Sequence, residues 1–238
     1  YFQRSVVLLI EHTEHGSMGF VLNKKTDLIV NSFFKEFAEF PEIPIYLGGP
    51  VSPNRLFFIH SLGDNIIPDA LKINDYLYFD GDFNALKRYI LNGHPIDGKV
   101  KFFLGYSGWT EGQLNHEIKR NSWAVSHITT DNILSADGEG YWKDSVELLG
   151  NDYKTWTKYE QVGQNASNLY VFSIDQLYIF QKSPLYPFDS IRTAIQRTSA
   201  FVTVHSILSE FLPYYNCANL FRYSLGLHPI FFRNTLLK

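Results

Sequence analysis

Gly105-Tyr-Ser-Gly-Trp-Thr-Glu-Gly-Gln-Leu-Asn-His-Glu-Ile-Lys-Arg-Asn-Ser-Trp123 is the stretch whose reading decides the fold. The apolar run Val100 to Leu104 leads into it and reads as a buried strand. Gly105, Gly108 and Gly112 then mark backbone of positive φ, or backbone that another segment approaches closely. Thr110 with Gln113 has the spacing of a capping box, which predicts a helix opening at Thr110. Leu114 and Ile118, four apart, supply its buried stripe, with Gln113 and Glu117 on a neighbouring face. Asn121 is the expected left-handed stop, and a second strand is expected over Ser122 to Ile128.

Outward from this segment the pattern is one of short strands and hairpins with a few helices. Ser5 to His12 is an apolar run, the mark of a strand buried on both faces, and Met18 to Leu22 returns from it. Phe33, Phe34, Phe37 and Phe40 predict a helix over Leu28 to Glu39, stopped by Pro41. Strands are expected at Pro44–Leu47, Arg55–His60, Leu71–Ile73 and Tyr76–Phe79. Asp82 caps a helix through Leu91 that Gly93 closes. A last helix, about Gly140 to Leu149, buries Trp142, Val146 and Leu149. Hairpins rather than regular βαβ units give an α+β fold with a mixed sheet.

The central segment is similar to the signature of the YqgE/AlgH family of bacterial proteins. Three further blocks resemble that family in the same order: Arg4-Ser-Val-Val-Leu-Leu-Ile-Glu-His12, Gly16-Ser-Met-Gly-Phe-Val-Leu-Asn23 and Gly48-Gly-Pro-Val51. The likeness continues through Tyr141-Trp142 and Leu148-Leu-Gly150 and fades near Trp156. It implies a bifurcated sheet forming a pseudo-barrel with helices packed outside, but it brings no established biochemical function. Family members usually carry a strand before this point and end just after the Trp156 region. Residues 1–160 are therefore read as an N-terminally truncated family domain and residues 161–238 as a non-matching extension.

That extension differs in composition. It holds 9 charged residues among 78, against 36 among the first 160, and it has no Trp. Strands at Leu169–Ile174 and Leu177–Phe180 and a helix over Asp189–Leu212 fit its pattern. Two readings compete, a genuine extension and out-of-frame or fused sequence. The second is expected, and with it weak order, because the segment lacks start and stop signals that agree with one another.

Charge and cysteine usage bound the function. From Gln161 onward six basic residues face three acidic ones, a balance of +3; before it, fifteen face twenty-one, a balance of −6. An acidic domain repels phosphate backbone, and this argues against direct nucleic-acid binding. One cysteine, Cys217, permits no internal disulfide and fits a reducing, cytoplasmic setting. No run of eighteen apolar residues exists, so no membrane span is expected.

No complete catalytic constellation emerges. Ser107 stands at a strand-to-helix turn, but Trp109 occupies the position where a nucleophile elbow needs its second glycine. The histidines form no His-Glu-x-x-His or Cys/His cluster; Glu11, His12 and His15 are read as a strand end and hairpin, and no metal or cofactor is expected. The glycines at 48–49 and 105–112 match no phosphate-binding motif and are read as structural. What remains is a polar and aromatic set: Tyr106, Trp109, Gln113, Glu117 and Asn121, with Arg4, His12 and Asn23 from the early blocks. Such residues line binding pockets, and they also finish the edge of a packed core, where a buried Trp needs a partner for its N–H. The leading expectation is a non-catalytic, regulatory module that binds a small molecule or a protein. The resemblance also implies a role in transcriptional regulation, which the acidic balance would route through a partner. The alternative is a hydrolase using Ser107 or a Glu117-activated water.

Overall fold

The computed structural model describes residues 2–120, 122–126, 133–153 and 170–172. Ten strands and three α-helices lie among them. The strands are β1 (Ser5–Thr13), β2 (Gly16–Val21), β3 (Lys25–Ile29), β4 (Pro44–Leu47), β5 (Val51–His60), β6 (Leu71–Lys72), β7 (Tyr78–Phe79), β8 (Val100–Thr110), β9 (Ala124–Val125) and β10 (Tyr170–Phe172). The helices are α1 (Phe83–Leu91), α2 (Gln113–Lys119) and α3 (Gly138–Glu147). The sheet runs β6-β7-β5-β8-β2-β1-β10-β9, with β4 added beside β8 and β3 beside β4. It curls into a half-barrel, and the fold is α+β as expected.

β8 is where the sheet divides. One edge pairs with β5. Along the other, Phe102–Leu104 pair in parallel with Ile45–Leu47 of β4, and Ser107–Thr110 pair antiparallel with Gly16–Gly19 of β2. Gly105 stands between the two halves at φ +65°, a conformation that costs a side-chain-bearing residue about 1–2 kcal/mol. Gly48 and Gly49 fill the fork. A Cβ on Gly48 would overlap the Gly105 carbonyl, and one on Gly49 would overlap the Tyr106–Ser107 peptide. The structural reading of these glycines follows from that close approach. Ser107 is fully buried here, and its hydroxyl donates to the Gly48 carbonyl at 3.0 Å.

Three apolar layers result. The inner face of the sheet collects Leu8, Phe20, Phe57 and Phe103 under Trp142 and Val146 of α3. The outer face divides at the fork. One half packs Phe58, Phe102 and Leu104 against Leu86 and Ile90 of α1. The other packs Val7, Leu9 and Val21 against Trp109, Trp123 and Leu114 of α2. β1 therefore buries both faces, as its unbroken apolar run requires.

Several expectations are corrected. The helix over Leu28–Glu39 does not form. Lys25–Ile29 is strand, and Val30–Ser32 and Lys35–Phe37 are single 3₁₀ turns. Asn31 holds this loop, donating from Nδ2 to Phe37 O (2.8 Å) and Phe40 O (3.2 Å) and accepting from Ile43 N (2.8 Å). The phenylalanines reach the core from turns instead of from one helix face. β8 also continues six residues beyond the predicted end at Leu104, and α2 begins at Gln113 rather than Thr110. Thr110 is held by its ladder position opposite Gly16, so Gly112, at φ +67°, caps the helix. The strand predicted over Ser122–Ile128 is described as β9; residues 127 and 128 lie outside the described residues. β10 falls within the predicted Leu169–Ile174 strand and pairs in parallel with β1 and β9. The other expectations for residues 161–238, including those on Cys217, lie outside the described residues.

Candidate functional site

α2 sits over the outer face of β1, β2 and β8 because Leu114 is buried there and Ile118 packs beside it. That placement turns Glu117 toward two indoles. Its Oε2 accepts from Trp109 Nε1 at 3.0 Å and from Trp123 Nε1 at 2.6 Å, and its Oε1 accepts from Gln113 Nε2 at 2.9 Å. Gln113 Oε1 in turn accepts from the Thr110 amide at 3.0 Å and the Thr110 hydroxyl at 3.2 Å. One arm of the predicted capping box is thus present, although the helix starts elsewhere. The two indole rings meet edge to face, with centroids 5.3 Å apart. A carboxylate acceptor makes these bonds stronger than neutral ones, and it answers the buried indole's need for a partner. The arrangement is an indole clamp, with Phe2 packed against both rings.

The eight residues singled out from the sequence do not form one site. Trp109, Gln113 and Glu117 converge in the clamp. His12 lies in the same cross-strand row, since His12 faces Ser17 and Ser17 faces Trp109, which puts all three on one side of the sheet. His12 Nδ1 is 2.7 Å from Ser17 Oγ, and burial pulls the His12 pKa below its ordinary value. Tyr106 is on the opposite, inner face, its ring edge-on to Phe57 at 5.9 Å. Arg4 and Asn23 gather elsewhere, at the start of α3. Asn121 lies outside the described residues. Trp123, which holds half of the clamp, was missed as a site residue; its place at the end of the central segment was the available signal.

Asn23 works as a staple. It is 2% exposed, and its Oδ1 accepts from the Val6 amide at 2.9 Å. Its Nδ2 donates to Arg4 O (3.0 Å) and Gly138 O (2.9 Å), while its own carbonyl accepts from Gly138 N (3.0 Å). Arg4 completes the junction with an ion pair to Glu139 at 2.8 Å and its guanidinium 5.5 Å from the centre of the Trp142 ring. Asn23→Ala leaves one buried amide and two part-buried carbonyls without this partner. It is expected to destabilise the protein by about 2–4 kcal/mol, read as a lower denaturant midpoint at unchanged slope.

Buried acids shape the pH response. Glu11 is 4% exposed opposite Met18 on β2, and burial raises its pKa to about 7. Burial also raises Asp80 to about 7, against the opposing pull of the Phe58 amide and Arg55. Both bind a proton more tightly folded than unfolded, so their contribution is complete below the unfolded value and is lost as pH rises through 7. Glu11→Gln is expected to flatten the wild-type loss of stability between pH 5 and 8. The difference between the two proteins changes by about 2–3 kcal/mol over that interval, which urea melts at the two pH values measure.

The described residues contain no cluster of three or more His, Cys, Asp or Glu with the geometry to hold a metal. None of the described helices is long and apolar enough to cross a membrane.

Comparison with known proteins places this geometry. A family model described as AlgH-like matches residues 1–154. A UPF0301 protein of Bacteroides fragilis is 48% identical over 161 residues, covering 68% of this chain and 81% of that protein. A UPF0301 protein of Bacteroides thetaiotaomicron is 47% identical over the same coverage. Protein DIP2367 of Corynebacterium diphtheriae, solved by X-ray crystallography, shares the fold at 21% identity and a TM-score of 0.52, over 65% of this chain and 82% of its own. The solution structure of the Pseudomonas aeruginosa AlgH protein aligns at 26% identity and a TM-score of 0.49, over 65% and 84%. With the family model covering well over half of its length, the chain belongs to the AlgH-like family.

Proposed function

We propose that this protein is a non-catalytic binding module of regulatory role, presenting the outer face built by α2 and the end of β8 to a small molecule or protein partner. The observation that carries this reading is the state of Glu117. Both of its oxygens are engaged by Trp109, Trp123 and Gln113, so this carboxylate serves to fix two large aromatic rings rather than to activate water. Ser107 is likewise committed to the Gly48 carbonyl, which leaves the hydrolase alternative without its nucleophile. A rigid aromatic base under an exposed polar helix suits recognition, because little conformational freedom is lost when a partner docks. Asn115, His116, Lys119 and Arg120 form the exposed side of α2 and are the expected contact residues. The −6 balance of residues 1–160 opposes DNA, so an effect on transcription runs through a protein partner in the cytoplasm.

The test is a thermal-shift screen of the full chain against nucleotides, metabolites and metals, followed by affinity capture. A ligand at a hundred times its Kd stabilises by about 2.7 kcal/mol. Binding that disappears in Lys119→Glu or His116→Ala, at unchanged melting temperature of the free protein, supports the reading. Turnover of an ester or phosphate panel, lost in Glu117→Gln, overturns it.

A further inference from the structure

Lys101 lies on the inner face of β8 and is 3% exposed. Its Nζ donates to the Ala136 carbonyl at 2.6 Å and stands 3.2 Å from the centre of the Tyr46 ring. Among the described residues no carboxylate comes within ion-pair distance of it. The carbonyl it holds belongs to residues 133–137, the short stretch that leads into α3 and buries Ile133, Leu134 and Ala136 in the inner core. α3 is therefore fastened to the sheet at two places around its start: Asn23 on Gly138, its first residue, and Lys101 on Ala136, two residues before it. The first fastening is uncharged at every pH, whereas the second carries a titratable amine.

We infer that Lys101 is a proton-operated latch, and that protonation of its amine loosens residues 133–137 and α3 from the inner face of the sheet. The reason is solvation. An ammonium ion is strongly hydrated, and sealing it away from water favours the neutral form unless a carboxylate compensates. The neutral amine still has N–H groups to give to the Ala136 carbonyl, so the closed arrangement survives without the charge. The other groups facing this place pull both ways. Asp137 favours the charged amine and Lys25 on β3 opposes it; Tyr46 offers its ring below and its hydroxyl to Asp137, with Asp97 further off. Burial outweighs them and lowers the Lys101 pKa to about 7.

The direction follows by linkage. The opened state, with its amine in water, binds a proton more tightly than the closed one, so opening grows easier as pH falls toward 7 and levels off below it.

Hydrogen exchange of the Tyr141–Val146 amides in the full chain, normalised for intrinsic chemistry, reads the latch. Protection is expected to rise about fifty-fold from pH 7 to 9 and to change by about twofold or less between pH 5 and 7. Lys101→Met, never charged, and Lys101→Arg, charged throughout, both lose the rise, and the arginine protein is the less protected of the two. A flat wild-type profile overturns the inference, as does a rise that persists in Lys101→Met. An equal rise at the Phe103 and Leu104 amides, which reports global unfolding, also overturns it. Should the variants fail to fold, NMR titration of carbon-labelled lysine in the wild type decides: a Lys101 midpoint near 7 supports the latch, and one near 10 refutes it.

Discussion

Gly49→Ala is expected to abolish the folded protein. The new methyl group would fall on the backbone between Tyr106 and Ser107, where no flexible side chain is available to move aside. Relief requires parting the Gly48–Gly49 segment from β8, and that disrupts the Gly48 N to Leu104 O and Val21 N to Gly48 O bonds (2.8 and 2.9 Å) together with the Ser107 hydroxyl bond. The cost exceeds about 4–5 kcal/mol, a large share of the stability of an ordinary domain. Circular dichroism should show no cooperative thermal transition. Gly112→Ala is the matched control. Its φ of +67° is strained for alanine, but nothing lies within 4 Å of the added carbon, and the expected loss is only about 1–2 kcal/mol. If Gly49→Ala melts within about 1 kcal/mol of wild type, β4 and β8 do not meet at the fork as described.

The second large effect belongs to Glu117. Alanine there removes the acceptor shared by the Trp109 and Trp123 indoles and the partner of the Gln113 amide. Each donor left without its acceptor under cover costs about 1–3 kcal/mol, and Glu117 is half-buried, so the sum is set at about 3–4 kcal/mol. In a protein of this size each kcal/mol lowers the melting temperature by about 2–4 °C, for a total drop of roughly 6–16 °C. Glu117→Gln keeps one carbonyl oxygen for an indole and should lose about half as much. Calorimetry gives the stability, and tryptophan fluorescence reports whether the rings lose their fixed contact. An alanine variant as stable as wild type, with unaltered fluorescence, removes the structural role assigned to the clamp and reopens Glu117 as a group held for ligand.

These expectations divide along the line between local and long-range information. α1 was legible because its signals are all local. Asp82 accepts from the Asn84 amide at 2.8 Å, Ala85, Leu86 and Ile90 face inward, and Gly93 follows at φ +78°. α3 likewise buries Trp142 and Val146, the residues its spacing picked out. The phenylalanines between residues 33 and 40 show the limit. Their spacing fits a helix face, but the hydrogen bonds that decide the matter come from Asn31 to carbonyls six and nine residues away. Periodicity records which side chains seek the core and leaves open which backbone delivers them.

The same division holds for the candidate site. The order of the four sequence blocks was enough to give family and fold class, and the density of glycine around residues 48 and 105 announced a close approach of backbone. Which segments approach each other was settled only by the fold. Gly48-Gly49 meets Gly105-Tyr106 across more than fifty residues, and the left-handed Gly105 at that meeting puts Phe103 and Tyr106, three apart, on the same inner face. Alternation along a strand, interrupted by a left-handed glycine, cannot be read without knowing that the strand continues through it. Hence the sequence by itself named Arg4, His12, Asn23, Tyr106, Trp109, Gln113 and Glu117 as one candidate set, and it passed over Trp123. Tertiary structure alone sorted them into an indole clamp, a staple at α3 and a half-buried histidine, because each of those groupings depends on contacts that strand pairing and helix docking create.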